Sequence, residues 1–270
     1  MIRTDLAIEA CKNLTCGEGI CVSEEEIGGV KITHTQIKTD AAARHIGRAV
    51  GEYITLEVGA IAESVETDGA ARVLAQQIRL LLGSAQSALV IGLGNTDITP
   101  DALGPKTAER VLATRHLTGE MKKSMGLFSL RSVSVLSPGV LGQTGIETAE
   151  IIRAVCDATH PQTVIAVDAL AAAGIERLGS TVQLSNAGIS PGSGVGNARS
   201  ELSKTTLGVP VIALGIPTVT DSATFGGVGG FIVTPRDIDM LILRASELLA
   251  AAINLSLQPD IDEELLLSLV

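Results

Sequence analysis

Aromatic residues are nearly absent from this chain, which has no tryptophan and only four aromatic side chains in 270 residues: Tyr53, Phe128, Phe225 and Phe231. A surface that stacks nucleic-acid bases needs more of them, and the net charge of −10 repels a phosphate backbone. No apolar run approaches the ~20 residues that a membrane span requires. The start of the chain also lacks a signal-peptide core. We therefore expect a cytoplasmic protein that binds neither nucleic acid nor membrane.

Cysteine and histidine are scarce too, with four of each. Cys11, Cys16 and Cys21 are evenly spaced but form no C-x-x-C pair, and no H-E-x-x-H motif occurs, so we expect ordinary thiols, no metal and no cofactor. Two other motifs are incomplete. "GSGVGN" has Asn197 where a dinucleotide-binding loop needs its third glycine. "GISPG" has Pro191, which lacks an N–H group, directly after the serine of a hydrolase-like pattern.

Hydrophobic patterning predicts an α/β fold with one domain over residues 1–270 and an irregular segment over about residues 1–35. The apolar runs "SALVIGLG", "QTVIAVDAL" and "VPVIALGIPT" are typical of strands buried on both faces, and helical patterns separate them. This alternation predicts a three-layer, mostly parallel sheet with helices on both faces. The run "TVQLS" is shorter and more polar, which suggests an edge strand. A helix is expected from about Asp101 to Thr114, and a long closing helix begins after Thr234.

Two aspartates follow buried strands of this predicted sheet. Asp101 comes after "SALVIGLG", and Asp168 ends the apolar part of "VIAVDAL". Ligands bind outside the carboxyl ends of the strands in such sheets, so we expect both acids at one rim. Asp101 on its own is equally well placed to interact with the dipole of a helix N-terminus.

A pair of acids at one rim suggests paired-carboxylate chemistry. At ~5 Å and an effective dielectric constant of ~20, two carboxylates repel each other by ~3 kcal/mol. Such repulsion corresponds to ~2 pKa units. One acid then keeps a proton near neutral pH while the other acts as a base, with water between them as the nucleophile. We expect Asp168 to supply the base.

A long loop rich in glycine and serine, residues 185–200, follows the "TVQLS" strand. Its members Gly192, Gly194, Gly196 and Asn197 are candidates for shaping a substrate cleft and for binding the developing charge of a scissile carbonyl through backbone N–H groups. The alternative is a flexible surface loop without function.

Four long motifs of the chain are distinctive: "RTDLAIEA", "GLGNTDITPDALGP", "VIAVDALAAAGIERLGSTVQLSNAGISPGSGVGNARS" and "VTPRDIDMLILRASELL". Together they resemble the germination proteases of spore-forming bacteria. The resemblance implies a metal-independent endopeptidase of atypical aspartic type with a phosphorylase/hydrolase-like fold, similar to that of hydrogenase maturation peptidases. It implies small acid-soluble spore proteins as substrates, a cytoplasmic location in the spore core, and a homotetramer. The family's two essential aspartates fall on Asp101 and Asp168.

The resemblance also implies an inactive precursor that clips its own N-terminus. The family cuts between an acid and a large apolar residue, which places the self-cleavage site between Asp5 and Leu6. Only "SATFGGVGGFI" bridges "PTVTD" and "VTPRDID", so this is a shortened form of the family. Chain termini are usually loosely held, which permits such a cut. Because few residues would be lost, we expect the cut to be a weak switch. The alternatives are a metal-sensing maturation peptidase of the hydrogenase type and a catalytically silent assembly protein.

Overall fold

The chain folds around one mixed β-sheet flanked by helices, as seen in a computed structural model that describes residues 4–11, 17, 19–64, 68–124, 126–127, 129–192, 194, 199–262 and 265–266. The strands are β1 Ile20–Ile27, β2 Val30–Ile37, β3 Gly51–Glu57, β4 Ser87–Gly92, β5 Ser132–Leu136, β6 Thr163–Ala172, β7 Thr181–Ser185, β8 Val211–Asp221 and β9 Ile232–Val233. The helices are α1 Ala7–Ala10, α2 Asp40–Ile46, α3 Asp68–Leu82, α4 Leu103–Ala108, α5 Gly119–Ser124, α6 Leu141–Thr144, α7 Thr148–Thr159, α8 Lys204–Leu207 and α9 Ile238–Leu257.

The sheet has a parallel half and an antiparallel half. Its strand order is β1-β2-β3-β7-β8-β6-β4-β5, and β9 pairs with β8 outside this path. Strands β8, β6, β4 and β5 pair in parallel, whereas β1, β2, β3, β7 and β8 pair antiparallel. The α/β class predicted from the sequence is confirmed. Strand β8 is the junction of the two halves, and β6 lies beside it on the parallel side.

Helices cover both faces of the parallel half. The larger core cluster includes apolar residues of α3, α4 and α9 on one face, and a second cluster joins α7 and α8 to the opposite face of β4 and β6. Helix α9 is long and apolar enough to span a membrane by length and composition, but 67% of its most apolar 18-residue stretch is buried within the fold. Because the burial is against α3, α4 and the sheet, α9 is a core helix.

Two expectations for the antiparallel half are wrong. Within the segment expected to be irregular, residues 20–27 form β1, which was missed because its run of three glutamates has low strand propensity. The alternation of apolar and polar residues in "GVKITHTQI" and "EYITLEV" does predict two strands, and these form the paired strands β2 and β3. Strand β7 was expected at an edge, yet it lies between β3 and β8 and all five of its residues are buried. Its polar residues face the cleft described below and not solvent.

Two helices are shorter than the sequence suggested. The predicted helix from Asp101 to Thr114 is a 3-10 turn, Thr99–Asp101, followed by the six residues of α4. Helix α9 begins at Ile238 with Asp237 as its N-cap, three residues beyond the expected start. The short α4 matters for the site, because the turn before it holds Asp101 against the end of β4.

Candidate active site

Asp168 lies inside β6, at the position where this strand runs between β4 and β8. Its residue is only 5% exposed, and its Oδ1 accepts a hydrogen bond of 2.9 Å from the N–H of Ala169. Burial raises the pKa of the Asp168 carboxyl well above its ordinary value of 3.8, and the negative charges of Asp101 and Asp5 raise it further. A carboxyl group in this environment retains its proton to higher pH than an exposed aspartate does.

Asp101 is brought to the same region by the chain that leaves β4. Its Oδ2 accepts a 2.8 Å hydrogen bond from the N–H of Asn95, so the carboxylate reaches back to the loop and does not cap α4. The turn is fixed to the sheet because the Thr218 hydroxyl on β8 donates to the carbonyl oxygen of Pro100 at 2.8 Å. Burial raises the pKa of Asp101, but the Asn95 N–H and the positive charge of Arg199 oppose that shift. Asp101 therefore ionises more readily than Asp168.

Glycines of the "GLGN" motif allow the backbone around Asp101 to pack closely. A Cβ atom on Gly94, whose φ is +116°, would overlap the carbonyl oxygen of Asp101 and lie 3.3 Å from its carboxyl carbon. Gly92 and Gly104 make a similar backbone contact between β4 and α4. These glycines let the Asp101 turn approach β4.

Two adjoining cavities of about 250 and about 360 Å³ meet at Asp168. Asp168 and Gly192 line both cavities, and Asp101 and Arg199 line the larger one. Asp101 and Asp168 therefore share one cleft at the carboxyl side of the parallel strands, where the sequence rule placed them. Among the described residues that line these cavities there is no histidine or cysteine.

The cleft is crossed by the chain's own N-terminal segment, residues 4–10. The N–H of Asp5 donates to the carbonyl oxygen of Ala171 at 2.8 Å, and the Ala171 N–H donates to Asp5 Oδ2 at 2.8 Å. Further along, the Glu9 carboxylate accepts hydrogen bonds of 2.8 and 2.7 Å from the N–H groups of Ala173 and Gly174. Both acids of the segment are thus bound by backbone N–H groups at the end of β6.

Two apolar residues of the segment are fully buried. Leu6 packs with Leu170 and Ala172, and Ala7 packs in a separate cluster that includes Tyr53 and Ile37; neither Leu6 nor Ala7 is exposed to solvent. The expectation that this terminus is loosely held is wrong, because hydrogen bonds and apolar contacts both fix it in the cleft. The alternation of acids and apolar residues in "TDLAIEA" was the available signal, since each residue type has its own contact.

Gln183 is a site residue that the sequence analysis missed. It lies on β7, is 8% exposed and forms two hydrogen bonds with the N-terminal segment: its Nε2 donates to the carbonyl oxygen of Asp5 at 2.9 Å, and its Oε1 accepts from the N–H of Ala7 at 2.6 Å. A glutamine in a short strand carries little signal by itself. Only the fold shows that this strand is interior and faces the cleft.

The loop candidates have different outcomes. Gly192 lines both cavities, and a Cβ on Gly194 would overlap the Asp5 carboxylate, so both lie at the cleft. Gly196 and Asn197 lie outside the described residues.

Among the cysteines that the structure describes, Cys11 and Cys156 are buried and Cys21 is exposed. The described part of the chain contains no group of three or more histidine, cysteine or acidic side chains arranged to hold a metal ion.

Comparison with known proteins gives a specific match at this point. The family model described as "Germination protease" matches residues 4–228, which include the N-terminal segment and both aspartates. The chain belongs to the germination protease family. It is therefore a peptidase of spore germination, and the resemblance read from its motifs is confirmed.

Individual relatives agree with the family match. The germination protease of Clostridium tetani is 38% identical over 97% of each chain, and that of Caldanaerobacter subterraneus subsp. tengcongensis is 39% identical over 97% of this chain and 96% of its own. The Clostridium alignment runs over 315 positions, more than the 270 residues of this chain, so the relative contains residues that this shortened form lacks. The germination protease of Geobacillus sp. is 43% identical, over 83% of this chain and 64% of its own.

Among solved structures, the [NiFe] hydrogenase maturation protease HycI from Thermococcus kodakarensis is similar in part. The superposition has a TM-score of 0.39 with 19% identity, and it covers 66% of this chain and 98% of the other.

Proposed function

We propose that this germination protease is an endopeptidase of atypical aspartic type in which Asp101 and Asp168 activate a water molecule. The observation that carries the proposal is the meeting of the two acids in one cleft that is already crossed by a peptide segment, residues 4–10. Paired carboxylates with different environments are the arrangement that supports general acid–base hydrolysis.

The environments of the two acids support the opposite order of roles to that expected from the sequence. Asp168 is the more deeply buried, so it holds the proton and acts as the acid, whereas Asp101, supported by Asn95 and Arg199, is the base. Asp101 removes a proton from water as the water oxygen adds to the substrate carbonyl carbon, and Asp168 donates its proton to the carbonyl oxygen. On collapse of this intermediate the C–N bond breaks, the leaving amine takes the proton held by Asp101, and one hydroxyl returns its proton to Asp168 as the C=O bond forms again.

The substrate class follows from the contacts of the N-terminal segment. An acid, a large apolar residue, an alanine and a second acid each have a distinct partner in the cleft: Ala171 N–H for Asp5, Leu170 for Leu6, Tyr53 for Ala7, and the N–H groups after β6 for Glu9. Small acid-soluble spore proteins carrying this pattern are the proposed substrates, met in the cytoplasm of the spore core. By resemblance, the working form is a homotetramer.

The same contacts support self-cleavage between Asp5 and Leu6. The segment occupies one side of the cleft, so it would exclude other substrates from the same contacts until it is cut and displaced, which is how an inactive precursor would be maintained. Since Leu6 and Ala7 are fully buried, removing residues 1–5 leaves apolar residues in the cleft that must also leave. The proposed switch is thus stronger than the weak one expected from the few residues lost.

Gly192 and Gly194 are proposed to shape the part of the cleft that receives the acid before the cut bond. Gly194 lies against the Asp5 carboxylate, so Gly194→Ala would crowd that acid. We expect the variant to slow cleavage after an acid while its thermal unfolding midpoint stays within a few degrees of wild type. Equal losses of turnover and stability would instead indicate a structural role for the loop.

The deciding experiment is incubation of the purified full-length chain with a small acid-soluble spore protein, followed by mass-spectrometric mapping of the cut. Asp101→Asn and Asp168→Asn should each abolish cleavage and remain folded, and wild-type activity should survive a strong chelator. Cleavage by either variant at the wild-type rate would end the paired-aspartate mechanism. Activity lost to the chelator and restored by one particular metal would favour a metal-sensing maturation peptidase.

A further inference from the structure

Three residues form a row across the floor of the cleft. Gln183 on β7 pairs directly with Gly215 on β8, and Gly215 pairs in turn with Asp168 on β6. Residues that are directly paired in a sheet present their side chains on the same face. Their neighbours Val182, Leu184, Val167, Leu214 and Ile216 all belong to the core cluster on the opposite face. Gln183 and Asp168 therefore stand on either side of a position that has no side chain.

Gly215 leaves this position to the side chain of Leu170. A Cβ atom there would lie 2.5 Å from the carbonyl oxygen of Asp168 and 2.7 Å from Cγ of Leu170, and all three residues of the row line the smaller cavity. With strands ~4.8 Å apart, the gap between the flanking side chains is about one strand wide. Leu170 stands in this gap, and Leu6 of the N-terminal segment packs against it. Asp5 also lines the cavity.

The carboxamide of Gln183 binds the N-terminal segment as a neighbouring strand would. It donates from Nε2 to the carbonyl oxygen of Asp5 and accepts at Oε1 from the N–H of Ala7, so it spans Leu6. The orientation of the amide is fixed by chemistry, because the Asp5 carbonyl can only accept and the Ala7 N–H can only donate. The bonded carbonyl belongs to the peptide bond between Asp5 and Leu6.

We propose that Gln183 is a catalytic residue that binds the carbonyl oxygen of the bond to be cut and sets the register of the substrate. This inference rests on the proposed self-cleavage between Asp5 and Leu6. When water adds to the Asp5 carbonyl carbon, the C=O electron pair moves to oxygen, and the Gln183 N–H stabilises that charge as Asp168 delivers its proton. Collapse then restores the C=O bond, returns a proton to Asp168 and expels the amine of Leu6, which takes the proton held by Asp101.

The side chain, and not the glycine loop, is the donor in this proposal. A preorganised donor aimed at the developing oxyanion typically contributes about 10²–10³-fold to the rate. The Nε2 atom of Gln183 lies 2.9 Å from the Asp5 carbonyl oxygen in the ground state, which places a donor beside the atom on which the negative charge would develop. Gly194 then lies against the acid before the cut bond, whereas Gln183 binds the carbonyl oxygen of that bond.

The experiment measures self-cleavage of the full-length chain as a first-order process by intact-mass spectrometry, following the product that begins at Leu6. Gln183→Leu should lower the rate constant by about 10²-fold or more. Gln258→Glu is the matched control, because Gln258 is also buried and bonds both the N–H and the carbonyl of one residue, Arg131, but lies outside the cleft. Unfolding midpoints of all variants are measured in parallel.

Gln183→Glu provides a readout that a structural role would not change. As an ionised carboxylate it accepts from Ala7 N–H but cannot donate to the Asp5 oxygen, whereas its protonated form can do both. The ratio of its rate to the wild-type rate should therefore rise as the pH falls. Gln183→Asn, one methylene shorter, is expected to lose rate at every pH because its amide no longer reaches both groups.

The outcomes distinguish a failure of the role of Gln183 from a failure of the paired-aspartate peptidase function. Cleavage by wild type but not by Asp168→Asn, with slow Gln183→Leu and low-pH recovery of Gln183→Glu, supports the role of Gln183. Wild-type rates in folded Gln183→Leu, or a Gln183→Glu ratio that is flat with pH, overturn that role and leave the paired aspartates intact. Absence of cleavage by wild type, both of itself and of a spore protein, overturns the proposed function and the inference with it.

Discussion

Replacing Asp168 by asparagine is expected to stabilise the protein at neutral pH while it abolishes proteolysis. Burial raises the pKa of the Asp168 carboxyl in the folded state well above the ordinary value of 3.8. The folded chain therefore holds one more proton than the unfolded chain between 3.8 and the raised pKa. The contribution of the Asp168 carboxyl to the free energy of unfolding is therefore fully present below pH 3.8, and it is lost as the pH rises through the pKa of Asp168 in the folded state. Asparagine does not ionise and keeps an oxygen that accepts from Ala169 N–H.

The size of the effect follows from a single proton. Within that pH window, each pH unit should lower wild-type stability by about 1.4 kcal/mol relative to the variant. For a chain of this size, 1.4 kcal/mol corresponds to a shift in unfolding midpoint of roughly 3–5 °C. The difference in midpoint between Asp168→Asn and wild type should therefore widen steadily from pH 4 upward, and level off above the folded pKa of Asp168.

The assay is thermal unfolding followed by circular dichroism at a series of pH values from 4 to 8, with intact mass checked before each scan. Asp260→Asn, at an exposed acid, is the control and should show no such widening. A midpoint difference for Asp168→Asn that stays constant across the series would show that Asp168 does not hold its proton in the folded state. The assignment of Asp168 as the acid would then be wrong.

Three further predictions concern the surroundings of the pair. Arg199→Gln removes a positive charge that lowers the pKa of Asp101, so the acidic limb of the pH profile of the cleavage rate should move to higher pH. Arg199→Lys should leave that limb nearly unchanged. Identical pH profiles for Arg199→Gln and wild type would contradict this. Gly94→Ala should cost about 1–3 kcal/mol in unfolding free energy and eliminate cleavage by displacing Asp101. Gly83→Ala, also at positive φ but with open space around it, should retain activity, and a fully active Gly94→Ala would refute the packing argument. Glu9→Gln should slow self-cleavage at least several-fold, since a neutral amide weakens the charge-assisted hydrogen bonds from Ala173 and Gly174, and an unchanged rate by intact mass would show that this acid is not recognised.

The parallel half of the fold could be predicted from the sequence because its strands are continuous apolar runs separated by helices. The rule that ligands bind at the carboxyl ends of such strands brought Asp101 and Asp168 to one rim without coordinates. The degree of burial of each aspartate could not be predicted from the sequence in the same way. The relative pKa values of the two acids depend on Asn95 and Arg199, which lie near Asp101 only in the folded chain.

The antiparallel half was harder to predict, and polarity is the reason. Strand β1 is an edge strand, and its charged residues are the kind that keep edges from pairing with other chains. Strand β7 has the opposite position but similar composition, because Gln183 is buried against a bound peptide segment and not exposed. A polar strand thus has two structural explanations, and only the neighbours of the strand distinguish them.

The segment of residues 4–10 and the cleft that holds it are encoded in one chain. A substitution that changes what the cleft accepts, at Tyr53 or Gln183 for example, also changes the fit of Ala7 or Leu6. New specificity would therefore arise through paired substitutions, one in the cleft and one in the segment. A chain that broadened its range of targets without altering the segment would lose the tight seating of its own terminus.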